Sequence, residues 1–467
     1  MQFYFYDLET SGLSSSAQRI MQFGGIRTDE DLNVIGEPLE CYVKLGNEIL
    51  PDPQAVLVTG ITPQKTLEEG YTEPEFIDIL TKHMFQPNTV IAGYNSIRFD
   101  DEFIRHLMWR NLRDPYEWHW KDGRSRWDIL DLVRTTRALR PDGVTWPESG
   151  NRLEEITKVN NIQHSQAHTA LSDVEATIEV AKLIKKKQPK LFSFLLNNRS
   201  KTEVGKLVNL ANPEPFVHTS GMISSDFSAT SVFYPIAKHP ANPQAILCFD
   251  LRFNPEEFAD LTSEEMQERA FSKHDELTDK GLTPLPVKGI HINKSPSVAP
   301  LGVLDKASQD RIDLNIATIE SNLKKLKTNA KIATTVANAY SQQPAFDKSN
   351  DPEQQLYDGF LGDKDRDELR SVLRVEDIAK LDPSFSDARL TTLFDRYKAR
   401  NFYSKLSETE QQAWQEYRDS RFKNGLKGAL SAQEYVKQIA ELKKQYSDNK
   451  QKEFLLEELE LYLEGLS

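Results

Sequence analysis

Cysteine is nearly absent from this chain of 467 residues, because only Cys41 and Cys248 occur and they lie far apart. Two isolated thiols argue against a disulfide framework and against a zinc site, so we expect both to be buried and reduced. The chain also lacks any run of eighteen or more apolar residues, and no basic stretch precedes its first apolar segment. We therefore expect neither a membrane span nor a signal peptide, and a protein of the cytoplasm without membrane contact.

Positive charge is in deficit, since 58 Lys and Arg residues stand against 71 Asp and Glu residues and give a formal net charge of −13. A protein that binds nucleic acid usually presents a basic surface, so this balance argues against such a function. A local groove of Lys and Arg can still hold a positive field when the acidic residues lie elsewhere, and some acids can be metal ligands. The charge balance limits nucleic-acid binding without excluding it.

Hydrophobic residues (38%) and charged residues (28%) occur in proportions typical of a globular protein. The chain is too long for one ordinary core, and its length suggests about three domains. Apolar β-prone runs and helical patterns alternate up to about residue 187, and short β-prone runs among prolines follow between residues 212 and 299. Helical patterns dominate from residue 304 onward. This order predicts an α/β domain, a small β-rich domain and a helical C-terminal domain.

Three short patterns in the first domain carry acidic residues and a histidine. Asp7 and Glu9 lie two apart on a predicted strand, so both carboxylates point to the same face. Asp100 follows a buried strand where a helix begins, and a helix cap explains it as well as a metal site does. Asp173 lies on a predicted helix that has His168 near its start. No single pattern is specific for catalysis, so the prediction depends on their joint occurrence.

In this order and spacing the three patterns resemble the DEDDh exonuclease family. The resemblance covers residue 1 to about residue 187 and implies a ribonuclease-H-like α/β fold with a mixed sheet. It implies that Asp7, Glu9 and Asp173 hold one divalent ion, while Asp7 helps to hold a second ion that Asp100 supports mainly through water. It also implies that His168 is the general base, a role suited to the ordinary histidine pKa of about 6.5.

The chemistry of phosphodiester hydrolysis agrees with this set of residues. Two divalent ions roughly 3.5–4 Å apart can activate water and stabilise the leaving oxygen. Carboxylate oxygens suit Mg²⁺, and Mn²⁺ is expected to substitute for it. The resemblance, with which this chemistry agrees, implies a metal-dependent 3′→5′ exonuclease.

Segments beyond the first domain narrow the resemblance. The run Val287-Lys-Gly-Ile-His-Ile-Asn-Lys-Ser-Pro and the C-terminal segments at 356–360 and 397–402 resemble a bacterial branch of the family. In that branch an SH3-like β-rich domain and an all-α C-terminal domain follow the nuclease, which implies domains at 1–188, 189–342 and 346–467. The resemblance then spans the chain and implies processive degradation of single-stranded DNA to 5′-mononucleotides, in DNA repair and recombination.

Aromatic residues interleave with arginines between residues 105 and 134, a composition suited to stacking on bases and to meeting phosphates. A helical core with a solvated basic face stays open as the alternative for each of them. The resemblance further implies a partner, the acidic tail of a single-stranded-DNA-binding protein, with Arg140 as a candidate contact. We expect a monomer. The candidate substrate-binding residues are Glu9, Arg105, Tyr116, Trp120, Arg134 and Arg152, the last of them by family resemblance.

Two alternative functions compete with this prediction. One is another DEDDh nuclease, such as a proofreading subunit, an oligoribonuclease or an RNA-maturing exonuclease, and the additional domains argue against it. The other is a scaffold that binds single strands and has lost catalysis. All four acids and His168 are present, which favours the enzyme.

Overall fold

The computed structural model describes residues 1–164, 169–343, 348–373, 378 and 381–466. Residue contacts divide the chain into two compact units. The first comprises Met1–Ser125, His164–Ala176 and Asp347–Ser467, and the second comprises Arg126–Gln163 and Thr177–Phe346. Within the described ranges no helix combines the length and the apolar character that crossing a membrane requires.

The first sheet contains five strands, which are β1 (Gln2–Thr10), β2 (Ile20–Thr28), β3 (Leu39–Tyr42), β4 (Thr89–Gly93) and β5 (Ser125–Asp128). Their order is β3-β2-β1-β4-β5. Because β1 pairs antiparallel with β2 and parallel with β4, the sheet is mixed, as predicted. The central position of β1 explains its nearly continuous apolar run, since both of its faces are covered.

Seven helices accompany this sheet. The two helices expected at Asp100 and around Asp173 are both present. Asp100 is the first residue of its helix, and the cap position belongs to Phe99, so the capping explanation for Asp100 is wrong. The helices are α1 (Pro53–Thr59), α2 (Pro63–Glu69), α3 (Glu73–His83), α4 (Asp100–Arg110), α5 (Ile129–Leu139), α6 (Leu153–Val159) and α7 (Ala170–Lys187).

The second sheet is antiparallel in the order β10-β6-β7-β8-β9, with strands β6 (Phe216–Thr219), β7 (Thr230–Lys238), β8 (Ala245–Asp250), β9 (Val287–His291) and β10 (Ser297–Pro300). Val232, Leu247 and Phe249 form its core with Val336 and Ala339 from a following helix. Cys248 and Cys41 are both buried and reduced, as predicted. The accompanying helices are α8 (Pro189–Asn197), α9 (Lys201–Leu207), α10 (Ser263–Phe271), α11 (His274–Asp279), α12 (Lys306–Arg311), α13 (Ile316–Thr328) and α14 (Lys331–Ser341).

Five more helices form the C-terminal region, which agrees with the all-α prediction in its described part. They are α15 (Asp363–Val372), α16 (Ala388–Phe402), α17 (Glu408–Asn424), α18 (Ala432–Gln445) and α19 (Lys450–Leu466). Among the described residues, part of their apolar surface packs on the N-terminal region. Tyr435 and Leu456 pack with Leu45, Ile49 and Leu50 of the N-terminal region, so the two regions share one core within the first unit.

A buried ionic cluster also joins these two regions of the first unit. The Arg19 Nη2 lies 2.7 Å from the Glu353 Oε2 and 3.3 Å from the Glu48 Oε1. Arg400 binds the same two carboxylates, with its Nε 2.9 Å from the Glu48 Oε1. The backbone N–H of Arg19 donates to the Ser11 hydroxyl at 2.8 Å, and the Ser11 N–H donates to the Arg19 carbonyl at 2.8 Å. The cluster therefore fixes the loop that directly follows β1.

Candidate metal centre

Two acidic side chains lie near the carboxyl end of β1. Asp7 is paired with Gly24 of β2, and Glu9 is paired with Gln22 in the same register. Since successive strand residues point to opposite faces, Asp7 and Glu9 share one face of the sheet. This confirms the geometric prediction made from their spacing.

Gly24 explains how a helix can approach these acids. A Cβ on Gly24 would lie 2.4 Å from the carbonyl carbon of Ala170 and 2.5 Å from the backbone nitrogen of Leu171. Only glycine therefore allows the first turn of α7 to pack this closely on β2. The Ala170 N–H also donates to the Gln22 side-chain carbonyl at 3.2 Å. Asp173 follows one turn later and is carried to the face that bears Asp7.

The structure brings Asp7, Glu9 and Asp173 together. One carboxylate oxygen from each residue lies within 4.8 Å of the others. Divalent cations bind oxygen ligands at about 2.0–2.6 Å, so ligands on opposite sides of one ion are separated by at most about twice that distance. The three oxygens are thus spaced for a single hard cation.

Asp100 approaches from the β4 side of β1, where its charge helps to raise the pKa of Asp7, but its carboxylate is not among the three oxygens that lie within 4.8 Å of one another. The chain turns between β4 and α4 at Asn95, whose φ of 65° is left-handed. Asp100 then begins α4 as a buried residue. The next residue, Asp101, accepts a hydrogen bond of 2.6 Å from the Tyr6 hydroxyl, which anchors the start of the helix on β1.

The electrostatics of the site call for a cation. Burial raises the pKa of Asp7 well above its ordinary value, and repulsion from Asp100 and Asp173 raises it further. Burial likewise raises the pKa of Glu9 to about 9, with added repulsion from Asp7 and Asp173. A divalent ion among these oxygens would relieve both the desolvation and the repulsion. The donor set therefore fits a hard metal ion.

Sequence reasoning missed His164. Its Nε2–H donates to the Asp173 Oδ1 at 2.5 Å, and its side chain is almost fully buried. The available signal was its position on the segment that leads into α7, four residues before His168. His168 itself lies outside the described residues, so its assignment as general base stays a prediction.

The substrate-binding candidates of the first unit differ in exposure. Arg105 is only 4% exposed, and its Nη1 donates to the Glu102 Oε1 at 2.5 Å. Tyr116 is half-buried, whereas Trp120 is 57% exposed. The two aromatic rings are accessible to a base, while the Arg105 guanidinium is held inside the protein.

The remaining candidates belong to the second unit. The Arg134 Nη1 pairs with the Asp131 Oδ1 at 3.0 Å on α5 and stays partly accessible. Arg152 is exposed at the cap position of α6. Arg140 is half-buried, donates from its Nη2 to the Val303 carbonyl at 2.7 Å, and pairs with Asp305 at 3.2 Å.

Metal binding at this centre should strengthen as the pH rises. The metal-free fold retains protons on Glu9 up to a pH of about 9, whereas an unfolded glutamate loses its proton near about 4.3. The folded state then binds more protons than the unfolded state in this window, so its stability falls as the pH rises from about 4.5 to about 9. A bound cation displaces these protons. We expect saturating Mg²⁺ to raise the melting temperature over EDTA by more at about pH 8.5 than at about pH 6.

The difference between the melting temperatures in Mg²⁺ and in EDTA removes the contribution of groups that titrate elsewhere in the protein. Glu9→Gln removes the titrating carboxylate and should flatten the pH dependence of the difference. If Mg²⁺ raises the melting temperature of the unaltered protein by the same amount at both pH values, the assignment of Glu9 to the metal centre is contradicted.

A mixed sheet that brings carboxylates of β1 and α7 within 4.8 Å of one another, with the charge of Asp100 on α4 acting on Asp7, is typical of a metal-dependent nuclease of the ribonuclease-H-like class. Family models match in the predicted domain order: Exonuclease over residues 4–181, the Exonuclease I SH3-like domain over residues 199–342, and the Exonuclease I C-terminal domain over residues 350–466. Exodeoxyribonuclease I of Haemophilus influenzae is 39% identical over 468 residues, which cover 98% of each chain. That of Escherichia coli is 39% identical over 471 residues, which cover 99% of this chain and 98% of its own.

Solved structures agree with these matches. Escherichia coli exonuclease I in complex with a dA16 oligonucleotide has a TM-score of 0.95 at 39% identity and covers 100% of both chains. The zinc-ion-bound form of an E. coli ExoI–ssDNA complex has a TM-score of 0.94 at 39% identity, covering 100% of this chain and 99% of its own. A structure of SSB/Exonuclease I with inhibitor CFAM has a TM-score of 0.91 at 38% identity, with the same coverage.

This chain therefore belongs to the exodeoxyribonuclease I family, and it is an exodeoxyribonuclease. The matches to the SH3-like and C-terminal domain models decide against a proofreading subunit, an oligoribonuclease or an RNA-maturing exonuclease.

Proposed function

We propose that this enzyme degrades single-stranded DNA processively from its 3′ end, releases 5′-mononucleotides, and serves DNA repair and recombination. The observation that carries the proposal is the convergence of Asp7, Glu9 and Asp173 within 4.8 Å. The likeness to exonuclease I bound to a dA16 oligonucleotide supports single-stranded DNA as the substrate. The domains that we assign to this task are 1–188, 189–342 and 346–467.

The metal that we propose is Mg²⁺, bound as two ions, with Mn²⁺ able to replace it. Asp7, Glu9 and Asp173 hold one ion, and Asp7 together with Asp100 supports the other. Bound at such a site, the ions supply an activated water and charge stabilisation for the leaving oxygen. The hard oxygen donors favour Mg²⁺ or Mn²⁺ over softer metals.

The chain's own residues then orient the reaction. His168 takes the proton of the attacking water, which is the general-base role. The backbones of Asp7 and Asp173 are held in place before the substrate binds. Asp7 is paired with Gly24 on the neighbouring strand, and the first turn of α7 packs against the same glycine. Preorganised charge of this kind costs no rearrangement at the moment of reaction.

His168→Ala should lower the rate of hydrolysis by about 10²–10⁴-fold, because removal of a general base typically has this effect. Metal-induced stabilisation should remain, since the carboxylates stay in place. The measurement is single-turnover cleavage of end-labelled single-stranded DNA. His164→Gln is the matched control, because a glutamine amide can still donate to Asp173. A His168→Ala rate within a few-fold of the unaltered enzyme, or an equal loss in His164→Gln, would remove His168 from this role.

For DNA contacts we propose that Tyr116 and Trp120 stack on bases and that Arg134 and Arg152 meet phosphates. Because Arg105 is buried, we assign it a positioning role beneath Tyr116. The SSB/Exonuclease I structure supports a single-stranded-DNA-binding protein as a partner. We propose that its acidic tail binds at a surface that includes Arg140. Action in the cytoplasm as a monomer stays a prediction.

The test of the function is a substrate panel. Purified protein is incubated with end-labelled single- and double-stranded DNA and RNA, in the presence of Mg²⁺ or EDTA. We expect stepwise shortening of single-stranded DNA from the 3′ end with Mg²⁺ only. Binding without cleavage under every condition would instead identify a single-strand scaffold that has lost catalysis.

A further inference from the structure

His164 lies beside the metal centre, on the segment that leads into α7. Its side chain is only 5% exposed, and its Nε2 lies 2.5 Å from the Asp173 Oδ1. An ionised carboxylate has acceptor sites only, so the histidine supplies the proton of this hydrogen bond. A buried histidine with one hydrogen bond has an ordinary structural explanation. Its role therefore depends on what the acceptor does.

The backbone of Asp173 is fixed, but its carboxylate needs separate support. The Asp173 N–H donates to the Thr169 carbonyl at 3.1 Å, and the packing of Ala170 against Gly24 places the first turn of α7. These contacts hold the main chain and leave the side chain free to change its rotamer. The orientation of the carboxylate must be set by groups that touch it.

The neighbouring acids work against the orientation that a metal site requires. The charge of Asp173 acts on both Asp7 and Glu9. Repulsion among like charges favours rotation of an unrestrained carboxylate away from the other two. The hydrogen bond from His164 opposes this rotation, because a hydrogen bond to a charged acceptor is roughly twice as strong as one between neutral groups.

The same hydrogen bond leaves Asp173 able to bind an ion. A carboxylate offers about four lone-pair sites on its two oxygens, and His164 occupies one of them. One Asp173 oxygen lies within 4.8 Å of the ligand oxygens of Asp7 and Glu9. Asp173 can therefore accept from His164 and coordinate a cation at the same time. Partners that orient metal ligands in this way typically contribute about 10- to 100-fold to metal affinity.

We propose that His164 is a positioning residue of the metal centre, whose Nε2–H holds the Asp173 carboxylate in the orientation that the cation binds. The inference rests on the proposed role of Asp173 as a metal ligand. His164 acts through Asp173 and takes no part in proton transfer, which distinguishes it from His168. Its contribution is to the affinity for Mg²⁺.

The first experiment measures the melting temperature of the full-length protein without DNA as the Mg²⁺ concentration increases. Stabilisation depends on the ratio of the ligand concentration to the dissociation constant, so the curve reports metal affinity. His164→Leu fills a similar volume without a donor and should shift the curve to Mg²⁺ concentrations about 10- to 100-fold higher. His164→Gln keeps a donor and should stay within a few-fold of the unaltered protein.

A second buried histidine serves as the matched control. His218 on β6 is 4% exposed, and its Nδ1 lies 2.9 Å from the Ser297 carbonyl oxygen. His218→Leu should lower the melting temperature in EDTA and leave the dependence on Mg²⁺ unchanged. If His164→Leu behaves like His218→Leu, or if His164→Gln loses as much affinity as His164→Leu, the proposal is wrong.

The second experiment separates metal binding from chemistry. Single-turnover cleavage of end-labelled single-stranded DNA is measured over a range of Mg²⁺ concentrations. His164→Leu should cleave slowly at low Mg²⁺ and approach the unaltered rate at high Mg²⁺, with unchanged oligonucleotide affinity in EDTA. A rate that is lowered by the same factor at every Mg²⁺ concentration would overturn the positioning role. If the unaltered protein itself shows no response to Mg²⁺, the proposed metal centre fails, and this inference fails with it.

Discussion

Asp7→Asn or Asp173→Asn is expected to lower the rate of DNA hydrolysis by at least about 10³-fold while leaving DNA binding largely intact. Each substitution removes a ligand oxygen from the carboxylate trio, and metal ions contribute several kcal/mol of charge stabilisation to such a reaction. The surfaces proposed to hold the strand are not altered. Single-turnover cleavage with Mg²⁺ and oligonucleotide binding in EDTA measure the two properties separately.

A stability measurement distinguishes a lost metal ligand from a damaged fold. Burial and the charges of Asp100 and Asp173 disfavour ionised Asp7 in the metal-free protein, so Asp7→Asn should leave the metal-free protein at least as stable as before. Its stabilisation by Mg²⁺ should be lost. Asp101→Asn is the matched control, because Asp101 lies next to Asp100 but accepts from Tyr6. Near-normal cleavage by Asp7→Asn, or an equal loss in Asp101→Asn, would exclude the metal assignment.

The sequence predicted the acids of this centre because their geometry is local. Asp7 and Glu9 share a face through strand periodicity alone, and α7 carries Asp173 in a strongly periodic segment. The way in which α7 meets β2 could not be predicted. It depends on a contact between Gly24 and Ala170, which are far apart in the chain, and a glycine inside a strand signals a close approach without naming the partner.

Exposure was the other property that the sequence left open. Arg105 and Trp120 belong to the same interleaved run, yet one is buried against Glu102 and the other faces solvent. Local composition does not distinguish these states, because burial of Arg105 requires Tyr357 from more than two hundred residues downstream. The positions of the four-residue strands β6 and β10 could not be predicted individually for a related reason. Short strands owe their conformation to their neighbours in the sheet more than to their own residues.

Glu353→Gln is expected to destabilise the fold by about 3–5 kcal/mol, the range typical of breaking a buried ion pair from one side. Glu353 is 2% exposed and binds three guanidiniums, with Arg19 at 2.7 Å, Arg396 at 3.3 Å and Arg400 on the same carboxylate. A glutamine of the same size leaves these three buried guanidiniums with one counter-ion fewer, although Glu48 and Asp351 still pair with them. Urea denaturation should show a lower midpoint, with loss of the structure that joins the C-terminal helices to the loop after β1.

The pH dependence of this loss follows from the pKa values of the cluster. Burial alone would raise the pKa of Glu48, but the charges of Arg400 and Arg19 outweigh burial and lower this pKa to about 2. Burial would also raise the pKa of Glu353. The charges of Arg400, Arg19 and Arg396 instead hold it well below its ordinary value. Carboxylates with depressed pKa values stabilise the fold above their unfolded pKa of about 4.3, and this contribution is lost as the pH falls toward about 2. The difference in unfolding free energy between the unaltered protein and Glu353→Gln should therefore reach its full value of about 3–5 kcal/mol near pH 6. It should shrink steadily below about pH 4. Glu256→Gln breaks the exposed pair with Lys325, which solvent screens, and should leave the stability nearly unchanged at either pH. If Glu353→Gln destabilises the protein no more than Glu256→Gln does, the ionic cluster does not hold the C-terminal region to the loop that follows β1.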